Sequence, residues 1–191
     1  MMKKLLVSLM VLLTSQMLSA QNISSGYRFL IDGGYTIGIG DYDFGRFELN
    51  VSNGYQINSF FYAGGGLGLH FMSEYKTKNM DIPLDQRKAK TDIPVFANLR
   101  ANFANGKFSP FVDGKAGYYV TNNGGVYLNL SAGCRFAVNE SQAINVMVGY
   151  TSEELEFETF KSFVGSYSMD YTRSPRKLTT EGIAIKVGFE F

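Results

Sequence analysis

The sequence has few of the residues on which metal, redox and disulfide chemistry depend. Its 191 residues include one cysteine, Cys134, one histidine, His70, and no tryptophan. A lone cysteine cannot form an intramolecular disulfide and excludes two-cysteine metal motifs, and a lone histidine is a weak metal site by itself. We therefore expect no cofactor, no metal site and no stabilisation by oxidation.

An excess of charge of one sign is also missing. The chain carries 18 basic and 17 acidic residues. Proteins that bind nucleic acid usually concentrate positive charge to meet the phosphate backbone, so we expect no nucleic-acid partner.

The first residues are typical of a secretory signal peptide. They read "MMKKLLVSLMVLLTSQMLSAQ", with Lys3 and Lys4, an apolar stretch, and small residues at Ser19 and Ala20. The apolar stretch is too short to span a bilayer comfortably, which takes roughly 20 residues. We predict a signal peptide over residues 1–20 and one domain over residues 21–191.

Beyond the signal, apolar residues alternate with a period of two rather than at helical spacing. This alternation is the pattern of strands that bury only one face. It recurs in eight segments, at about residues 27–39, 47–57, 61–71, 93–103, 112–120, 126–138, 144–151 and 182–191.

The glycine run "YAGGGLGLHF" over residues 62–71 fits this pattern better than a phosphate-binding loop. Neither G-x-G-x-x-G nor G-x-x-x-x-G-K-[ST] can be laid over it. In a strand, Gly64, Gly66 and Gly68 would share the face of His70. We interpret this as a strand whose bare face meets the crowded interior of a narrow barrel.

The connections between the predicted strands differ in length. Short turns are expected at residues 58–59, in preference to 53–54, and at 104–107 and 139–142. Long loops are expected at Glu74 to Asp92 and Glu153 to Glu181. Short turns at one end and longer loops at the other are typical of membrane barrels.

The polarity of the two strand faces distinguishes a soluble barrel from a membrane barrel. A soluble carrier barrel hides its apolar face, whereas an outer-membrane barrel turns it to lipid and keeps charges inside. The apolar rows are long and free of charge, while the other face mixes glycine with charge at Asp32, Arg46, Glu48, Arg100, Asp113, Lys115, Arg135, Lys186 and Glu190. Aromatic residues near strand ends suggest interface girdles at Tyr27, Phe103, Tyr118, Tyr119, Tyr150 and Phe191. The sequence therefore predicts an all-β, eight-stranded antiparallel up-and-down transmembrane β-barrel, with the soluble carrier as the alternative.

The sequence also resembles a family. The signal ending "SAQ", the segments "NGYQIN", "GGGLGL" and "SPFVDGKAGY", and the final "VGFEF" resemble small outer-membrane β-barrel proteins of Bacteroidetes, similar in architecture to OmpX- and OmpA-type barrels. The resemblance implies location in the bacterial outer membrane, contact with its lipid and lipopolysaccharide, and insertion by the barrel-assembly machinery. It also implies an assembly signal in the last strand, which matches Ile183, Ile185, Val187, Phe189 and Phe191.

Three groups of residues are candidate functional sites. His70 would need a serine nucleophile for lipid A chemistry, and the nearest serine, Ser73, falls on the opposite face of an ideal strand. The carboxylates near Glu153 lack the fixed cleft of a glycosidase, and an acidic strand extension explains them more simply. Basic residues in the loop "KTKNMDIPLDQRKAKTD" could meet anionic surface sugars, but a solvated loop explains them as well.

The remaining charges suggest a sealed interior. Arg46, Glu48, Arg100, Asp113, Lys115, Arg135, Lys186 and Glu190 are expected to form paired ladders in the lumen, because charges removed from water must be paired. We therefore expect a non-enzymatic barrel with a structural or surface-interaction role through its extracellular loops, and an extracellular partner whose identity the sequence does not give. The alternatives are a narrow pore for small solutes and, less favoured, a lipid A-modifying enzyme.

Overall fold

The computed structural model describes residues 25–77, 84–139, 142–164 and 169–191, all of them in strands, turns or irregular segments. The signal peptide expected over residues 1–20 lies outside these residues. None of the described residues forms a helix long and apolar enough to cross a membrane.

The described residues form eleven strands. They are β1 (Gly26–Ile39), β2 (Arg46–Gln56), β3 (Phe61–Met72), β4 (Tyr75–Lys76), β5 (Asp85–Arg87), β6 (Lys90–Asp92), β7 (Pro94–Asn102), β8 (Phe108–Tyr119), β9 (Val126–Ala137), β10 (Ala143–Val164) and β11 (Met169–Glu190). Eight of them are long, and β4, β5 and β6 are short strands between β3 and β7.

The eight long strands close into an antiparallel barrel. Each pairs with its neighbour along the chain, and β11 returns to β1 with a register from Leu30↔Glu190 to Ile39↔Glu181. Closure removes the open edges that a flat sheet would expose. The prediction of an all-β, eight-stranded antiparallel barrel is confirmed.

Connections divide the barrel into two ends. One end, which we call the turn end, contains Gly26, Phe191 and the turns that follow β2, β7 and β9. At the opposite end, which we call the loop end, lie the connection after β1, the described part of the β3–β7 connection, the end of β10 and the start of β11. The predicted later turn after β2 is confirmed, since Asn58 Oδ1 accepts hydrogen bonds from the backbone N–H groups of Phe60 and Phe61 at 2.8 and 2.9 Å.

The period of two places apolar side chains outside the barrel and polar side chains inside. On β9, Leu128 and Leu130 are 47% and 61% exposed, whereas Asn129 and Ser131 are 3% and 1% exposed. The same orientation holds around the wall, with exposed outward residues such as Leu99, Val148 and Ile185.

The prediction of a long loop from Glu153 to Glu181 is wrong, because most of this segment is strand. β10 and β11 are each 22 residues long, and their register runs unbroken from Ala143↔Glu190 to Val164↔Met169. The strands continue because the alternation continues: Leu155 and Phe157 are buried, while Glu154, Glu156 and Glu158 lie on the other face. The prediction of an acidic strand extension is confirmed.

The glycine run on β3 lies in the crowded interior. A Cβ atom at Gly66 would lie 2.8 Å from the Phe96 ring, and one at Gly68 would lie 3.0 Å from His70 Nε2. Real Cβ atoms do not approach so closely, so glycine allows β3 to pass beside bulky neighbours.

Candidate functional site

The inside of the barrel is a buried ion-pair network. All eight charged residues singled out from the sequence are at most 4% exposed, namely Arg46, Glu48, Arg100, Asp113, Lys115, Arg135, Lys186 and Glu190. They share the interior with other buried charges that were not predicted to belong to this network, among them Arg28, Asp32 and Glu153.

The part of the network nearer the loop end centres on Glu48. Lys186 Nζ lies 2.6 Å from Glu48 Oε2, and Arg46 Nε lies 2.9 Å from Glu48 Oε1. Arg46 Nη1 also lies 2.9 Å from a carboxylate oxygen of Glu153. These side chains are fully shielded from solvent, so their pairing offsets the large cost of removing charge from water.

The part of the network nearer the turn end is rich in arginine. Lys115 Nζ bridges Asp32 at 2.9 Å and Asp113 at 3.2 Å. Arg100 Nε donates to Asp113 at 3.0 Å, and Arg135 donates to Glu190 through two nitrogens at 3.1 Å. Arg100 and Asp113 join the neighbouring strands β7 and β8, whereas the Lys115–Asp32 and Arg135–Glu190 pairs join strands that are not neighbours, so the charges cross-link the wall through the lumen.

An aromatic plug lies above these charges. It is the buried cluster of Phe44, Met72, Tyr75, Phe96, Tyr119, Tyr127, Leu155 and Phe157, with Tyr42 and Leu178 packed against it. Edge-to-face contacts such as Tyr119–Tyr127, with centroids 5.6 Å apart, fix its geometry. The lumen therefore ends in apolar packing rather than in an open mouth.

Tyr119 was expected in an interface girdle, and that assignment is wrong. Its neighbour Tyr118 is 48% exposed on the outer face, whereas Tyr119 is 1% exposed and donates a hydrogen bond to Glu153. Consecutive residues of a strand point to opposite faces, so only one of the two could join the girdle. The other five predicted girdle residues are exposed, and four of them, Tyr27, Phe103, Tyr118 and Phe191, lie at or next to strand ends. Tyr150 lies within β10, because that strand continues to Val164.

His70 is enclosed by the plug and the ion-pair network. Its Nδ1 lies 2.8 Å from the Tyr119 hydroxyl, and its Nε2 lies 3.0 Å from the Asn50 amide oxygen. The side chain has no exposed surface, and its ring packs edge-on against Tyr127. Both ring nitrogens are thus engaged with residues other than a serine.

A small sheet projects beyond the barrel at the loop end. We call this the protruding sheet. It consists of the segments of β10 and β11 beyond the barrel wall, Glu154 to Val164 and Met169 to Thr180, together with β5 and β4, and it is joined by pairs such as Glu158↔Gln86 and Tyr75↔Arg87. Its inner face supplies Leu155, Phe157 and Tyr75 to the plug. The predicted long loop from Glu74 to Asp92 is therefore partly strand, in β4 to β6.

Arg87 departs from the expected solvated basic loop. It is 3% exposed, and its Nη2 donates to Asp92 at 2.5 Å while its Nε donates to the Glu156 carbonyl at 3.2 Å. Lys76, Lys88 and Lys90 from the same loop are exposed, and Lys78 lies outside the described residues. Arg87 thus anchors the protruding sheet instead of presenting charge to the surroundings.

One edge of the protruding sheet is open. Among the described strands, β11 pairs with β1 only from Glu181 to Glu190, so the segment from 169 to 180 has a partner on its β10 side alone. The Phe160 N–H donates to the carbonyl of Leu84, the residue before β5. The backbone groups of its register partner Arg173, and of alternate residues such as Lys177, therefore point toward the open edge. Pro175 shares this direction, so it removes one donor from that edge.

Glu153 was not predicted as a lumen charge, because the segment from Glu153 to Glu181 was expected to lie beyond the barrel wall. The period of two predicts its position, since Glu153 is two residues after Thr151 and so shares its inward face. Both side chains are buried. No group of three or more histidine, cysteine or carboxylate side chains among the described residues could hold a metal ion.

The five residues expected to form the assembly signal follow the outer face of β11. Ile183, Ile185 and Val187 are 37%, 56% and 56% exposed, and Phe191 is 46% exposed. Phe189 is half-buried, and its ring lies 4.7 Å from that of Phe191.

No protein-family model matches the chain, and no curated protein matches it. Solved structures do match, and one of them is a de novo designed transmembrane β-barrel. That structure is 10% identical with a TM-score of 0.42, and the match covers 86% of this chain and 95% of the designed one.

Proposed function

We propose that this chain is a non-enzymatic integral protein of a bacterial outer membrane, of the OmpX/OmpA-type small barrels that its sequence resembles. In this proposal the turn end faces the periplasm and the protruding sheet stands outside the cell. The barrel is closed to solutes and acts through the sheet that it displays.

The observation that carries the proposal is the polarity of the wall. Large apolar side chains such as Leu99, Leu130 and Ile185 are more than half exposed, while charged side chains such as Glu48 and Lys186 are fully buried. In water, exposing such side chains forfeits about 25 cal/mol for each Å² of apolar surface left unburied. In a bilayer the same surface faces hydrocarbon, so this wall suits a membrane and not a soluble carrier.

A sealed lumen is favoured over a pore by two layers of packing. The ion pairs around Glu48 and Asp113 cross the interior, and the aromatic plug covers them at the loop end. Eight strands enclose only enough room for side chains to fill. The engagement of both His70 nitrogens by Tyr119 and Asn50 disfavours the lipid A-modifying alternative, which needs a histidine free to activate a nucleophile.

A surface-interaction role is supported by the open edge of β11. Unpaired strand edges recruit extended segments of other chains by adding a strand to the sheet. The edge residues around Lys177 and Thr179 are exposed, and Pro175 limits how far such pairing extends. The partner would be an extended polypeptide at the cell surface.

The first experiment is the gel mobility of the membrane-fraction protein in mild detergent, with and without boiling. A closed membrane barrel resists the detergent and runs compactly until it is heated. We expect a heat-dependent shift in the outer-membrane fraction. Protein found in the soluble periplasm without a shift would contradict the proposal and favour the carrier barrel.

A matched pair of variants tests the polarity of the wall directly. Val148→Lys places a charge on the outer face and should destabilise the membrane-inserted barrel by about 2–4 kcal/mol if it lies near mid-bilayer. Glu158→Lys, on the exposed face of the protruding sheet, is the control and should leave the heat-shifted band unchanged. Planar-bilayer recording completes the test, because steady single-channel conductance would favour the pore.

A further inference from the structure

A groove lies on the outer wall of the barrel along β8. Its volume is about 450 Å³, within the range of roughly 300–1,000 Å³ that is usual for small-molecule sites. In the sheet register, Gly114 lies between two leucines of the neighbouring strands, and Ala116 lies beside a third. We call this the β8 groove, and its lining includes Leu99, Gly114, Ala116, Leu128, Leu130 and Tyr150. These residues belong to the apolar outer rows, so the groove opens toward the surface that the proposed membrane role places against lipid.

The β8 groove depends on a glycine that packing does not require. A Cβ atom at Gly114 would have its nearest contact at 3.9 Å. At Gly117, on the lumen face of the same strand, a Cβ atom would collide with the Val95 carbonyl. Crowding therefore demands glycine at position 117 but not at position 114. A larger side chain would fit at Gly114 and would fill the groove, so the open space is not a by-product of how the barrel packs.

A lysine lies at the loop-end mouth of the β8 groove. Tyr118 follows Ala116 by two residues on the same face, next to the last residue of β8, and it is 48% exposed. Lys177 Nζ donates hydrogen bonds to the Tyr118 hydroxyl and to the Gly124 carbonyl, both at 3.1 Å. It also lies 5.5 Å from the centre of the Tyr118 ring. The ammonium group is thereby held beside the groove, at the level of the aromatic girdle.

Lys177 has no carboxylate partner among the described residues. Its register partner Glu156 accepts a hydrogen bond from Asn123 at 3.1 Å instead. The groups that hold the ammonium are a hydroxyl, a carbonyl and an aromatic face, and none of these is an anion. Basic side chains close to a membrane surface attract anionic lipid headgroups, so this position favours a ligand that carries negative charge.

We propose that the β8 groove binds one acyl chain of a phosphate-bearing lipid, whose headgroup meets Lys177. The apolar groove and the cation beside it match the two ends of such a molecule, whereas a neutral lipid would match the groove alone. A second copy of the barrel would need both a side chain that fills the groove and an anionic group placed against Lys177. The lipid belongs to the leaflet at the loop end, and the site rests on the proposed membrane role.

The test uses the absence of tryptophan from the chain. Val126→Trp places a single tryptophan beside Tyr118, its register partner, and Ile37→Trp places one on the outer face of β1, four strands away from β8. Each chain is refolded into phosphatidylcholine vesicles that contain a minor fraction of brominated phosphatidylglycerol or of brominated phosphatidylcholine. We expect quenching of Val126→Trp to show about a fivefold preference for the anionic lipid, and quenching of Ile37→Trp to show no such preference.

Two matched pairs of variants in the Val126→Trp chain separate the acyl chain from the headgroup. Gly114→Leu fills the groove and should abolish the preference. Gly33→Leu adds the same side chain to the outer face of β1, where a Cβ atom has its nearest contact at 3.5 Å, and should keep the preference. Lys177→Gln should abolish the preference, whereas Lys90→Gln, at another exposed lysine of the loop end, should keep it.

The outcomes separate the lipid site from the membrane role. Equal quenching by the two lipids at both tryptophans would overturn the lipid site. A preference lost in Lys177→Gln but kept in Gly114→Leu would also overturn it, because surface charge alone would then explain the result. Weak quenching of Val126→Trp that increases as the protein is diluted into more lipid would assign the groove to a second copy. A heat-shifted barrel with any of these results leaves the membrane role standing, whereas a chain without a heat shift contradicts both proposals.

Discussion

The two halves of the barrel interior are held together by different physics. Between the turn end and the aromatic plug lies the charged half, in which side chains such as Lys115, Arg135 and Lys186 cross-link the strands through carboxylates. At the loop end, rings such as Phe157 and Tyr75 pack into an apolar cluster that extends beyond the wall. The difference shows how one chain can stay rigid in its wall and yet present a separately stabilised surface outside it.

The charged half should respond most strongly to a single deletion. Glu48→Gln leaves Lys186, and part of the charge of Arg46, without a buried partner. Removing one member of a buried pair typically costs about 3–5 kcal/mol. The measurement is the urea midpoint of the heat-shifted band in phospholipid vesicles.

Glu154→Gln is the control for this deletion, since Glu154 is half-buried on the outer face of the hairpin. Its effect should stay within about 0.5 kcal/mol. Equal losses in the two variants would mean that the lumen pairs add nothing beyond ordinary surface charge.

Loss of a ring from the apolar half should destabilise the protruding sheet but not the barrel wall. Phe157→Ala removes a ring that is 1% exposed and contacts Tyr42, Phe44 and Tyr75. The loss should be about 3 kcal/mol, and it should appear as faster amide exchange in the protruding sheet, with little change for peptides from β2. Mass spectrometry of deuterated peptides measures both regions at once.

Phe103→Ala serves as the control, because Phe103 is 59% exposed at the other end of the barrel. It should leave exchange in the protruding sheet unchanged. If Phe157→Ala instead accelerated exchange in β2 as much as in the sheet, the two halves would be one cooperative unit.

A third comparison sets one inward glycine against its outward neighbour. A Cβ atom at Gly66 would collide with the Val51 carbonyl and the Phe96 ring, whereas one at Gly65 would have its nearest contact at 3.5 Å. Gly66→Ala should therefore cost about 2 kcal/mol through overpacking, and Gly65→Ala should be close to neutral. Urea midpoints of the two variants decide the matter, and equal midpoints would contradict a crowded lumen.

The alternation of apolar and polar residues predicted which side chains of the barrel wall face inward, because a period of two assigns each residue of a strand to one face regardless of its partner strand. It therefore located Glu48, Arg100 and Lys186 from local sequence alone. The plug could not be predicted in this way, because Phe44, Tyr75 and Phe157 come from three distant segments whose meeting depends on how the connections fold. Glu153 lies between these cases, because the period of two places it on the inward face but the expected end of the wall before Glu153 removed it from the lumen.

The smallest expected effect concerns pH at the loop end. Tyr42 donates to Asp85 at 3.4 Å, and partial burial together with the Asp85 carboxylate raises the pKa of Tyr42 above its usual value. Because the folded state favours the neutral hydroxyl, this contribution to stability is fully present below the unfolded pKa of about 10 and is lost as pH rises through the higher folded pKa. Proteolysis of the protruding sheet should accelerate over that window in the wild type and less in Tyr42→Phe, which cannot ionise. Since the charged half is sealed below the plug, the urea midpoint of the barrel should not follow the same curve; if it does, the loop end and the wall are coupled through Tyr42.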